Sequence, residues 1–193
     1  DGLQHEGYVL AKEAGIVAGI EVAREVFFRV DPEVTFEAQK EDGAPVQVGD
    51  VVIRIQGRAR SILAAERLAL NFMQRMSGIA TGTRKVVALL EGTGTRVLDT
   101  RKTTPGIRVF EKAAVLIGGG VNHRMGLFDQ ILIKDNHVDY AGSMRAAIEG
   151  AHAHLRTTGQ EVPVVVEVRN TEELRSALDA GGVDRVLLDN FTP

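Results

Sequence analysis

Ile131-Leu132-Ile133-Lys134-Asp135-Asn136-His137 is a short apolar run that ends in charged and polar residues. Three further segments repeat this pattern, at residues 97–102, 164–169 and 186–190. A continuous apolar run of this length is typical of a strand buried on both faces, and enough residues for a helix separate each run from the next. The pattern therefore predicts successive strand and helix units in a parallel α/β architecture.

The charged residues fall where the predicted strands end. Parallel strands present their functional groups at their carboxyl ends, in a closed barrel or an open doubly wound sheet, because the following loops open there. Asp99, Lys134, Glu167 and Asp189 each follow or close one of the four runs. We therefore expect charged groups to converge on one site.

The first sixty residues have a different pattern. Residues 8–11, 34–37 and 51–55 have strand character, and residues 20–28 have helical spacing, which together indicate a small α+β domain. From Ser61 the apolar spacing is helical, and Ser77-Gly78 predicts a break before a second helix that ends near Glu91. We predict an N-terminal domain with connecting helices over residues 1–91 and a partial barrel domain over residues 92–193.

Composition excludes several classes of protein. The chain has 193 residues, no cysteine and a net charge of -3. The lack of cysteine excludes disulfides, cysteine-ligated zinc, iron–sulfur clusters and thiolate catalysis. The balanced charge favours neither a nucleic-acid-binding nor a membrane-binding face. No signal-peptide pattern or membrane span is seen, so we expect a cytoplasmic protein.

The length also bears on the predicted barrel. A complete eight-stranded barrel needs about 250 residues, whereas this sequence stops directly after a predicted strand. We expect a C-terminal truncation that exposes a strand edge and apolar surface unless more chain or a partner covers them.

Cationic residues cluster in three segments beside the predicted strand ends. Arginine offers a planar fork and lysine a point charge, so such segments suit a carboxylate or a phosphate. The alternatives are a solvated loop around residue 101 and a lysine at position 134 whose ammonium group simply reaches solvent. The candidate anion-binding residues are Thr100, Arg101, Lys102, His123, Arg124 and Lys134.

The remaining candidates keep two interpretations each. Gly118-Gly119-Gly120 suits a helix C-cap better than a phosphate cradle. Glu167 and Asp189 could hold a divalent cation, bind sugar hydroxyls or stabilise positive charge, and could equally form salt bridges with the nearby cations. Arg67 follows Glu66 on a predicted helix, where such a pair is usually solvated.

The cations taken together predict the charge of a ligand. Four fixed cations and one titratable histidine near one another repel strongly when no ligand is bound. The natural ligand should therefore carry several negative charges, as a phosphorylated compound, a small dicarboxylate or a combination of the two.

The sequence resembles the quinolinate phosphoribosyltransferase family. Six ordered motifs carry the resemblance, and it extends over essentially the whole chain. These motifs are Glu66-Arg67-Leu68-Ala69-Leu70-Asn71, Ser77-Gly78-Ile79-Ala80-Thr81, Asp99-Thr100-Arg101-Lys102-Thr103-Thr104-Pro105-Gly106, Gly118-Gly119-Gly120-Val121-Asn122-His123-Arg124, Lys134-Asp135-Asn136-His137 and Leu188-Asp189-Asn190.

The resemblance implies a fold and a reaction. The fold is an N-terminal α/β sandwich followed by an open, incomplete α/β barrel similar to a TIM barrel. The reaction joins quinolinate to phosphoribosyl pyrophosphate with magnesium, and gives nicotinate mononucleotide, pyrophosphate and carbon dioxide for NAD synthesis. A homodimer or higher homo-oligomer is implied as well.

The resemblance also implies residue roles. Thr100, Arg101, Lys102, His123, Arg124 and Lys134 would bind quinolinate, and Arg67 would enter the neighbouring subunit's site. Glu167 and Asp189 would lie by the ribose and the magnesium-bound pyrophosphate, and so contact the metal indirectly. Catalytic roles fall to Lys102, Glu167 and Asp189.

Two other functions stay open. A related protein of the same fold, of the type associated with molybdenum transport, would use another substrate. A non-catalytic anion-binding or assembly module would need no phosphate-binding loops.

Overall fold

A computed structural model of the protein describes residues 4–192. The chain divides into two compact units, residues 1–123 and residues 124–193, which we describe separately. The domain boundary that the sequence predicts at residues 91 and 92 stays a prediction.

The first unit opens with small antiparallel sheets. A three-stranded sheet has the strand order β1-β5-β3, and a short pair joins β2 to β4. The three strands predicted in the first sixty residues are present, with longer or shifted bounds, and the short pair was not predicted. The elements are β1 Gln4–Leu10, β2 Gly15–Ile16, α1 Ile20–Val30, β3 Thr35–Ala38, β4 Pro45–Val46 and β5 Val51–Arg58.

Helix α1 covers one face of this sheet. Its buried residues are Ile20, Ala23 and Phe27, at a spacing that places all three on one side of the helix. They share a core with Ile53 of β5. Burial of this apolar stripe explains why the sequence forms a helix here.

Helix α2 is continuous from Ala59 to Leu89, so the break predicted at Ser77-Gly78 is wrong. The Ser77 hydroxyl accepts a hydrogen bond from the Ala18 N–H at 2.9 Å and donates to the Ala18 carbonyl at 3.2 Å. The polar residue therefore ties α2 to the segment between β2 and α1. It does not end the helix.

Helix α3, Arg108–Ile117, ends in the three glycines. The Gly120 N–H donates to the Val115 carbonyl and the Gly119 N–H to the Leu116 carbonyl, both at 2.9 Å. Gly119 has φ 92°. This pattern is a Schellman C-cap, which confirms the C-cap interpretation over a phosphate cradle.

The strand predicted at residues 97–98 is reduced to one parallel bridge, between Leu98 and Val121. The Val121 N–H donates to the Val97 carbonyl at 2.8 Å, and the Asp99 N–H donates to the Val121 carbonyl at 3.1 Å. Within the described residues no further pairing extends this bridge. It still brings the two cationic segments that follow Leu98 and Val121 side by side.

The second unit is a parallel α/β layer, as the repeated apolar runs predict. Its sheet has the order β6-β7-β8 with both pairs parallel. No closed barrel is formed by the part of the chain that the structure describes, residues 4–192. The elements are β6 Ile131–Ile133, α4 Asp135–Ala141, α5 Met144–Thr158, β7 Val164–Val168, α6 Thr171–Ala180 and β8 Arg185–Leu188.

Only the central strand of this sheet is buried on both faces. In β7 every residue except Glu167 is buried. Strand β8 lies at the edge, and its Leu188 is 56% exposed. The expectation of strands buried on both faces is therefore met in this sheet by β7, whereas β6 and β8, which pair with one strand each, are partly exposed.

Two glycine substitutions test the packing and continuity of α2. A Cβ at Gly118 would lie 2.6 Å from the Ala80 carbonyl oxygen and 2.7 Å from Thr83 Cβ. Gly118→Ala should therefore lower the free energy of unfolding by about 1–3 kcal/mol.

A Cβ added at Gly78, in the interior of α2, would have no neighbouring atom within 4 Å. Gly78→Ala should raise that free energy by about 0.5–1 kcal/mol, because alanine favours a helix.

Urea unfolding of both variants measures these changes. A loss of stability in Gly78→Ala would contradict a continuous α2 and restore the predicted break.

Candidate active site

The cationic loop, residues 99–108, holds its shape through short local hydrogen bonds. The Lys102 N–H donates to Thr100 Oγ1 at 3.0 Å, and the Thr103 N–H donates to the Arg101 carbonyl at 2.9 Å. Arg108 Nε donates to Thr103 Oγ1 at 3.2 Å. Thr100 therefore already accepts a hydrogen bond within the loop, in addition to the substrate contact that the sequence predicts for it.

A buried ion pair anchors the start of this loop. Lys112, on α3, is 1% exposed, and its ammonium group pairs with the Asp99 carboxylate. The same carboxylate accepts the His123 N–H at 2.7 Å. With its amide nitrogen turned toward these acceptors, Asn122 donates to Asp99 Oδ2 at 2.7 Å and to the Lys112 carbonyl at 3.0 Å. Asp99 thus fixes the backbone of the second cationic segment as well.

A second network holds the far side of the loop. Glu111 is buried on α3 and accepts Arg75 Nε at 2.9 Å, Arg75 Nη2 at 2.6 Å and the Thr104 N–H at 3.1 Å. Arg75 Nη2 also donates to Thr104 Oγ1 at 3.0 Å. Burial alone would raise the pKa of Glu111, but the hydrogen bonds from Thr104 and Arg75 outweigh it and lower that pKa.

Sequence reasoning missed both networks. Asp99 was predicted only as a charged strand end, and Glu111 and Lys112 were given no role. The available signal was an adjacent glutamate and lysine on a short, mostly apolar helix. Adjacent side chains point in different directions around a helix, so at least one of two such charges is expected to face the protein and to need a partner.

Arg101 is a partly buried cation of the loop. Its Nε is buried and has no hydrogen-bond partner among residues 4–192. Lys102 beside it is exposed. A buried guanidinium nitrogen without a partner costs free energy, so this position favours binding of an acceptor such as a carboxylate.

The second unit brings two predicted site residues together. Lys134 Nζ lies 3.3 Å from Glu167 Oε2. Lys134 continues β6 past Ile133, which pairs with Val166, so side-chain alternation places Lys134 and Glu167 on the same face of the sheet. This contact is the salt-bridge alternative that the sequence left open for Glu167, and it also gives the ammonium group of Lys134 an anionic partner.

Asp189 follows β8 and is exposed. Its N–H donates to the Val168 carbonyl at 2.9 Å, and its Oδ2 accepts Asn190 Nδ2 at 3.2 Å. Glu167 pairs with Leu187 in the register of β7 and β8. Alternation along β8 therefore places Asp189 one step beyond Leu187 on the face that carries Glu167.

His137 orients the start of α4. The Lys134 N–H donates to His137 Nδ1 at 2.9 Å, so the ring caps the helix that begins at Asp135. Residues 135–136 form the first turn of this helix. This cap fixes the backbone from which the side chain of Lys134 projects.

The other predicted residues occupy separate places. His123 closes the first unit and Arg124 opens the second, and both are partly buried. Arg67 is exposed on α2.

Residues 4–192 contain no group of three or more acidic or histidine side chains arranged to hold a metal ion by themselves. Within that same range, no helix has the length and apolar character needed to cross a membrane.

The fold and these side chains define an α/β protein whose loops carry cations suited to anions. A family model described as quinolinate phosphoribosyl transferase, N-terminal domain, matches residues 2–77, and the model of the C-terminal domain matches residues 79–193. The chain belongs to the quinolinate phosphoribosyltransferase family, as its sequence motifs predict.

Named relatives agree with this assignment. The chain is 45% identical to the chloroplastic nicotinate-nucleotide pyrophosphorylase [carboxylating] of Arabidopsis thaliana, over 98% of this chain and 55% of that protein. It is 43% identical to the probable nicotinate-nucleotide pyrophosphorylase [carboxylating] of Bacillus subtilis, over 97% of this chain and 64% of that protein. The crystal structure of NadC from Streptococcus pyogenes superposes with a TM-score of 0.92 at 45% identity, covering 99% of this chain and 66% of that one. The chain thus spans a little over half to two thirds of the length of these relatives.

Glu111→Gln tests the network that holds the cationic loop. The substitution keeps the size of the side chain but removes the charge that strengthens the hydrogen bonds from Arg75 and Thr104. We expect the free energy of unfolding at neutral pH to fall by about 1–3 kcal/mol. Because the folded-state pKa of Glu111 is lowered, its contribution is present above the usual carboxyl pKa and is lost as pH falls through the folded value.

Urea unfolding at neutral and acidic pH measures both effects. Glu25→Gln is the matched control, since Glu25 forms an exposed pair with Arg29 and should change stability by about 0.5 kcal/mol or less. A Glu111→Gln variant no less stable than this control would show that the network does not hold the loop.

Proposed function

We propose that the protein transfers the phosphoribosyl group of phosphoribosyl pyrophosphate to quinolinate and releases carbon dioxide, forming nicotinate mononucleotide for NAD synthesis. Such an enzyme is a pentosyltransferase. The observation that carries the proposal is the unpartnered, buried Nε of Arg101, at the start of a loop that matches the family motif. A pyridine dicarboxylate supplies the acceptor that this nitrogen lacks.

Quinolinate binding is assigned to the residues that the family motifs suggest. These are Thr100, Arg101, Lys102, His123, Arg124 and Lys134. Two carboxylates adjacent on one ring need more than one cationic group, because each brings a full negative charge that must leave water. This requirement supports a dicarboxylate over a monocarboxylate.

The reaction needs positioning more than it needs a base. The ring nitrogen of quinolinate forms a bond to C1 of the ribose as the bond from C1 to pyrophosphate breaks. The ring is then positively charged and accepts the electron pair of the carbon–carbon bond that breaks as carbon dioxide leaves, after which that carbon takes a proton. Holding the ring nitrogen in line with C1 can supply several kcal/mol, on the order of the effect of proximity in general.

Three residues carry catalytic roles in this proposal. Lys102, exposed at the loop, stabilises negative charge. Glu167 and Asp189 offset the positive charge that develops on the ribose. The Lys134–Glu167 contact supports this, because it orients the Glu167 carboxylate along the face of the sheet.

Magnesium fits the donor set as an indirectly bound ion. Mg²⁺ commonly takes one or two carboxylates and completes its shell with water and substrate phosphates. Glu167 and Asp189 share one face of the parallel sheet and lie in no larger acidic cluster among residues 4–192. They would hold the ion together with pyrophosphate, and the ion would neutralise the leaving group.

Three further expectations belong to this proposal. The parallel sheet of the second unit forms part of an open barrel. A homodimer or higher oligomer brings Arg67 into a neighbouring site, which agrees with its exposure on α2. The cytoplasm stays the predicted location, although the named relatives include a mitochondrial and a chloroplastic protein beside a bacterial one.

Calorimetric titration with quinolinate tests substrate binding, with nicotinate as the ligand that has one carboxylate. The protein should bind quinolinate more tightly than nicotinate. Arg101→Ala and Lys134→Ala should each weaken quinolinate binding about tenfold or more, because each removes a charge-assisted contact. Lys85→Ala, at an exposed position of α2, is the control and should bind as the parent does.

Near-normal affinity in either site variant would contradict the proposal. Equal or absent binding of the two ligands by folded protein would instead favour the molybdenum-associated relative or the non-catalytic module.

A further inference from the structure

Lys112 is a buried charge that the proposed reaction does not use. It lies on α3 with 1% of its surface exposed, and its partner Asp99 has a side chain 7% exposed. An unpaired ammonium group at such a position would be costly. The pair is often no more stable than apolar residues of similar volume would be, so stability alone explains it poorly.

Asp99 lies close in sequence to the cations of the loop but pairs with Lys112. Asp99 is two residues from Arg101, and its carboxylate also accepts the His123 N–H. It is the nearest acidic residue in sequence to Arg101 and Lys102. Yet Arg101 Nε has no hydrogen-bond partner among residues 4–192, while Asp99 is bound by Lys112.

We infer that Lys112 is a positioning residue that holds Asp99 away from Arg101 and neutralises it, so that Arg101 stays available to an anionic substrate. Asp99 can then fix the His123 backbone without cancelling the positive charge of the cationic loop. The functional part of this inference depends on the proposed quinolinate binding.

Electrostatics gives the reason for such a device. A carboxylate can accept hydrogen bonds from backbone and side-chain donors at the same time. This property suits Asp99 to joining the two cationic segments. Its negative charge, however, would attract a guanidinium group and repel a dicarboxylate at short range. A buried ammonium group from a third element removes that conflict, because it adds a positive charge that the substrate does not have to displace.

Two variants separate charge from packing. Lys112→Met keeps the length of the side chain and leaves Asp99 without its cation. The double variant Asp99→Asn with Lys112→Met removes both charges, and the asparagine oxygen can still accept the His123 N–H. Lys85→Met is the control for loss of an exposed lysine. If Lys112→Met does not fold, Lys112→Gln replaces it, since glutamine removes the charge but still donates hydrogen bonds.

The first readout is the NMR resonance of the Arg101 Nε–H, assigned with Arg101→Lys. In Lys112→Met it should move downfield and exchange with water more slowly, because Asp99 now accepts from Arg101. In the double variant and in Lys85→Met it should stay at the parent position. An unmoved resonance in folded Lys112→Met or Lys112→Gln would overturn the inference.

The second readout is calorimetric binding of quinolinate. Affinity should fall about tenfold or more in Lys112→Met and return to within about threefold of the parent in the double variant. A merely structural pair would lower the melting temperature of Lys112→Met and leave its affinity and its Arg101 resonance unchanged, which would overturn the inference.

The two readouts also separate this inference from the proposed function. If the Arg101 resonance moves as expected but the parent does not prefer quinolinate to nicotinate, the charge separation stands and the proposed substrate is wrong. If the parent prefers quinolinate and neither readout changes in Lys112→Met, the proposed function stands and the role of Lys112 is wrong.

Discussion

The buried ion pair between Asp99 and Lys112 is the contact on which the cationic half of the first unit depends. Asp99 closes the single bridge between Leu98 and Val121 and accepts the His123 N–H, so one carboxylate joins both cationic segments to α3. A buried carboxylate is costly unless a cation and hydrogen-bond donors surround it. Lys112 supplies that cation from the next helix.

In the second unit, a lysine and a carboxylate pair at the surface rather than in the interior. Lys134 lies at the rim of the parallel sheet and stays 46% exposed, with Glu167 3.3 Å away. Water screens this pair, so it contributes little to stability. The ion pair of the first unit is thus a fixed support, whereas the Lys134–Glu167 pair is partly exposed, as the proposed substrate contacts of its two residues require.

Much of this could be predicted from sequence, and the failures have physical causes. Apolar runs predicted β6, β7 and β8 because each of these strands consists largely of consecutive apolar residues. Ser77-Gly78 predicted a break that does not exist, since the Ser77 hydroxyl binds the distant Ala18 backbone. Residues 97–98 form only a bridge, because the length of a strand depends on how much of an adjacent segment pairs with its backbone, which the local sequence does not determine. The candidate cations are predicted from residue type and position and stay predictions, whereas Lys112 was missed because its partner is set by tertiary packing.

An NMR titration of the protein with quinolinate tests most directly whether the cationic loop of the first unit binds a dicarboxylate. Backbone amide resonances of Arg101, Lys102 and His123 should shift with one shared dissociation constant, while nicotinate should shift them less and at higher concentration. Unmoved resonances of these residues in folded protein, or equal shifts with both ligands, would contradict the binding of a dicarboxylate by this loop.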